Sequence, residues 1–70
     1  MTEHREELYE LAFRRQVSFQ TALNIRRELR FSVMFPGKGF SHEWIKQKEE
    51  TLDEVLTTLK DTEERIKELS

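Results

Sequence analysis

Apolar residues recur in the first part of the chain at Leu8, Leu11, Ala12, Phe19, Ala22, Ile25 and Leu29. Steps of three and four gather side chains onto one face of an α-helix, and that face is expected to form an intramolecular seam. After Ser41 the pattern tightens into a heptad, with Ile45, Leu52, Leu59 and Ile66 at intervals of seven and Trp44, Val55, Leu56 and Leu69 widening the stripe. Between the two patterns lies Leu29–Ser41, which holds the only proline and both glycines. Pro36 lacks a backbone donor and Gly37 and Gly39 accept angles that other residues resist, so a helix cannot run through. The pattern predicts one all-α domain over residues 1–70, with a helix at about 2–30, a hinge at 31–40 and a helix at about 41–69. The two helices fold back as an antiparallel hairpin, expected to dimerise into a four-helix assembly.

Local signals refine this outline. Thr2 and Ser41 are expected N-caps, with Glu3, Glu6, Glu7 and Glu43 in the first turns where the helix dipole favours negative charge. With the hinge centred near residues 35 and 36, Ala22 is expected opposite Glu49, Phe19 opposite Leu52, and Arg15 near Val55 or Leu56. Arg15 interrupts the first seam between Ala12 and Phe19, which calls for a snorkelling stem or a register-setting buried ion pair. Tyr9, Phe13 and Val17, with Leu23 nearby, make a further apolar stripe on the first helix. A hairpin buries one stripe, so the second predicts a contact with another copy or another protein. Phe31, Val33, Met34, Phe35 and Phe40 are expected to cap the hairpin tip, and Met34 and Phe35 are candidates for an adaptable docking surface. The partner-binding candidates are therefore Tyr9, Phe13, Val17, Leu23, Met34 and Phe35.

Size makes such a contact more necessary. Seventy residues bury a modest fraction of their surface, and the sequence has no cysteine to supply disulfides or thiolate zinc sites. Met1 is followed by a polar, charged run, and no apolar stretch approaches a membrane span, so a cytoplasmic protein is expected. Net charge is −2, a poor match to phosphate, which argues against nucleic acid as a partner. Charge is unevenly spread. Residues 1–30 carry six arginines and five glutamates, four of those acids fall in the first ten residues, and five of the arginines lie beyond Arg5. Dipole complementarity and pairing between the helices would account for this. In the second helix Asp61 with Arg65 and Glu63 with Lys67 have the spacing of supporting ion pairs, whereas Glu49, Glu50, Asp53 and Glu54 repel one another and are expected to be solvated or paired with first-helix arginines.

Gly39-Phe40-Ser41-His42-Glu43-Trp44-Ile45 followed by Glu49-Glu50-Thr51-Leu52-Asp53-Glu54-Val55-Leu56 resembles the small helical-hairpin aspartyl-phosphate phosphatases of the bacterial sporulation phosphorelay. Members of that family carry a Ser-Gln-Glu-Leu-Asp motif after a glycine-containing hinge. Glu49, Glu50 and Thr51 stand where the family has Ser, Gln and Glu, and Leu52-Asp53 match. The resemblance implies docking on a response-regulator receiver domain and dephosphorylation of its aspartyl-phosphate, with Asp53 as the catalytic candidate.

No cofactor or metal is expected, since Gly37-Lys38-Gly39 lacks the rest of a phosphate-binding loop and neither His4 nor His42 has a second histidine at ligand spacing. The residues alone show no catalytic constellation. The function expected from them is a small intracellular bacterial or phage regulator or adaptor acting through helical contacts. The alternatives are the phosphatase that the resemblance implies and a structural assembly subunit of a phage or plasmid.

Overall fold

In a computed structural model, which describes residues 4–35, 37 and 39–70, two helices pack side by side. α1 spans Arg5–Met34 and α2 spans His42–Leu69. The long axis measures 55 Å, against 14 and 12 Å across. The expected Thr2 cap and Glu3, like the hinge residues Pro36 and Lys38, lie outside the described residues.

α1 continues one turn beyond the expected end at Arg30, because nothing in Phe31-Ser32-Val33-Met34 breaks a helix. It stops at Phe35, with φ −129° and ψ 68°, whose N–H still donates to the Phe31 carbonyl at 3.0 Å. A residue preceding proline is sterically disfavoured from the α region, which fixes this stop. At Gly39 φ is +81° with open space around the missing Cβ, so backbone conformation alone demands glycine there. Ser41 then caps α2 as expected, its Oγ accepting from the Trp44 N–H at 3.0 Å.

The seam differs from the expected one. Leu11, Ala22 and Ile25 are buried, but Ala12 and Phe19 are exposed, and Ser18 and Ser32 are buried instead. Leu11, Ser18, Ile25 and Ser32 are spaced by sevens, and so are Leu8, Arg15, Ala22 and Leu29. The inward face of α1 is thus a heptad with small residues where large ones were expected. Thr62 is its buried counterpart on α2, flanked by half-buried Ile45, Leu52, Val55, Leu59, Ile66 and Leu69. The buried hydroxyls of Ser32 and Thr62 donate to the carbonyls of Leu29 at 2.6 Å and Thr58 at 2.7 Å, which satisfies them without a cross-helix partner.

Register also shifts. Glu28 pairs with Lys48 at 2.9 Å and Glu7 with Arg65 at 3.2 Å, so the pairing is centred at residues 36 to 38. Arg15 consequently shares a groove with Leu59 and Glu63 rather than lying at Val55 or Leu56. At the tip the aromatic rings form a chain. Phe31 lies 4.6 Å from Phe35 and 6.1 Å from Phe40, Phe40 lies 5.0 Å from Trp44, and the Lys48 ammonium sits 5.5 Å from the Trp44 ring centre. These tilted and edge-on arrangements gather the aromatic rings at the hinge end of the seam.

Candidate functional site

The outer face of α1 is the candidate site, and helical geometry explains how it arises. α2 concentrates its apolar residues on one face, whereas α1 distributes them around its circumference. The seam consumes one stripe of α1, leaving Tyr9 65%, Phe13 69% and Phe19 51% exposed, with Val17 and Leu23 also exposed. Tyr9, Phe13 and Val17 climb the helix by steps of four and so drift around it. A straighter stripe is Tyr9, Ala12, Gln16, Phe19 and Leu23, alternating steps of three and four. Ala12 and Phe19, expected in the seam, belong to this second stripe. Their spacing was visible in the sequence, but Leu8 and Leu11 drew them into the first one.

Beside this stripe the two helices leave a groove of about 540 Å³, lined by Ala12, Phe13, Arg15, Phe19, Leu59 and Glu63. Leu56 is exposed as well, one turn from Leu59 on α2. Arg15 is exposed and has no ion-pair partner among the described residues, so its stem lines the groove while its charge meets water. Met34 is 61% exposed at the hairpin tip, while Phe35, also exposed, packs on Phe31.

Electrostatics are unequal along the molecule. Arg65 donates from Nε to Glu7 at 3.2 Å and from Nη1 to Glu68 at 3.1 Å, and Glu68 first, then Glu7, hold its guanidinium even further above its usual range. The expected Asp61–Arg65 and Glu63–Lys67 pairs are not among the ion pairs formed; Arg65 reaches across to α1 instead. Glu49, Glu50, Asp53 and Glu54 are exposed and unpaired among the described residues, which is the solvated arrangement.

Leu52 is half-buried in the seam and Asp53 is exposed to solvent. The Asp53 carbonyl accepts from Thr57 Oγ1 at 2.9 Å, a local helical contact. Tyr9, Phe13, Val17 and Leu23 lie on α1 and Asp53 on α2. No group of three His, Asp or Glu side chains able to hold a metal ion occurs among the described residues. No helix is long and apolar enough to cross a membrane among them. Comparison with protein-family models, curated proteins and solved structures gives no match.

Proposed function

We propose that the chain is a small cytoplasmic interaction module, a regulator or adaptor that works by offering the outer face of α1 to another helical surface. The observation supporting this reading is the second apolar stripe on a helix whose first stripe is already spent. Tyr9, Phe13 and Phe19 are each more than half exposed, and covering a large apolar side chain is worth about 1.5–3 kcal/mol. A polar surface would serve an isolated hairpin better, and scattered single exposures would need no explanation. Continuity over successive turns is what marks a contact surface.

Replacing Phe13 and Phe19 together by glutamate tests the reading. The wild-type chain is expected to form a stoichiometric complex, with itself or with a second protein from its host extract, resolved by size-exclusion chromatography with light scattering. The Phe13→Glu/Phe19→Glu variant is expected to keep its helical circular dichroism and lose that complex. A wild-type chain that stays single at all accessible concentrations and elutes alone from extract would overturn the proposal.

A further inference from the structure

Glu6 lies in the first turn of α1, where the helix dipole favours it, but the arginine cluster further along has no explanation inside the hairpin. Arg26, Arg27 and Arg30 crowd one region of the helix, yet α1 runs on to Met34 and its last turn holds no basic residue. The helix dipole acts within the terminal turn, so it does not account for them. Pairing between the helices does not either: among the described residues the cross-helix ion pairs are Glu28 with Lys48 and Glu7 with Arg65. Glu6, Glu10, Arg26, Arg27 and Arg30 are all exposed and have no ion-pair partner among the described residues. Glu6 and Glu10, like Arg26 and Arg30, sit at repulsive four-residue spacing.

This pattern is self-complementary about one point. The stripe Tyr9, Ala12, Gln16, Phe19 and Leu23 is centred on Gln16, and Glu6 and Arg26 are equidistant from that residue. We infer that the occupant of the outer α1 face is a second copy of this chain, whose α1 packs antiparallel to the first about a two-fold axis near Gln16. Such an isologous contact lays Tyr9 of one copy beside Leu23 of the other and Phe13 beside Phe19. Glu6 of each copy then stands level with Arg26 and Arg27 of its mate, with Arg30 a turn beyond, so the arginine cluster meets an acidic residue at two symmetric places. A parallel arrangement sets like against like at both ends.

Area supports a second copy. The chain exposes 6063 Å², whereas a compact folded monomer of 8.5 kDa exposes about 4,700 Å². A standard interface covers about 800 Å² on each partner, which removes more than half of that excess. The inference rests on the interaction-module reading and names its partner.

Charge reversal and cross-linking test it, using the full chain. Glu6→Arg and Arg26→Glu each set like charges together at two symmetric places and are expected to weaken dimerisation about tenfold in sedimentation equilibrium. Mixing the two variants restores both pairs, so a heterodimer of near wild-type affinity is expected. The chain has no cysteine, so introduced thiols report cleanly. Gln16→Cys alone is expected to form a disulfide-linked dimer. Tyr9→Cys and Leu23→Cys are expected to cross-link when mixed but not separately. Tyr9→Cys cross-linking to itself, or dimer affinity unmoved by either charge reversal, would overturn the antiparallel arrangement. A wild-type chain that stays single overturns the inference but leaves the broader reading standing if it still forms a complex with another protein that Phe13→Glu/Phe19→Glu abolishes.

Discussion

Arg15 puts a charge at the edge of the seam, where it must find either a carboxylate or water. Its heptad position is inward, between Leu8 and Ala22, yet the neighbouring groove is open and the side chain is exposed. Arg15→Met keeps the stem and removes the charge. The substitution is expected to be neutral or stabilising in chemical denaturation, because no buried carboxylate is stranded; a loss beyond about 2 kcal/mol would reveal a needed ion pair. Ser18, Ser32 and Thr62 were not legible as seam residues, since polar side chains are usually exposed. The one signal that could have marked the two serines is the heptad they share with Leu11 and Ile25. Phe19 misled for the opposite reason: its hydrophobicity suggested burial, but its place in the repeat puts it on the flank.

At the scale of elements, existence and type were easier to read than ends and faces. α2 was legible almost entire because heptad, cap and polar outer face agree, whereas α1 carries two overlapping apolar patterns and no sharp stop before Phe35. Its second stripe shows in the sequence through Tyr9, Phe13 and Val17, but its straight course through Ala12 and Phe19 depends on which residues the seam takes. Ser41 offers the cleanest test of local structure. Its Oγ receives the Trp44 N–H and its carbonyl receives the Ile45 N–H, and Trp44 in turn anchors the aromatic tip. Ser41→Ala removes the side-chain acceptor alone and is expected to cost about 1 kcal/mol in urea unfolding. A change within experimental error would mean that water replaces the cap without loss.

The whole molecule is too extended for its size. A compact chain of seventy residues has a radius of gyration of about 11 Å, against 16.0 Å here. Two long helices joined at one end can touch along only one side each, and among the described residues no side chain is completely buried. Small residues in the seam bring the helices together without supplying much apolar volume, so stability is expected to depend on what covers the outside. If a second copy does so, folding and association are one equilibrium, and the melting temperature rises with protein concentration. Two chains melting together absorb roughly 100 kcal/mol, which converts to an increase of about 5 °C for each tenfold rise in concentration. Phe13→Glu/Phe19→Glu is expected to lower the melting temperature and abolish that dependence together, because both arise from the same buried stripe. A wild-type melting temperature independent of concentration, with scattering at the mass of one chain, would instead mean that the seam alone holds the hairpin.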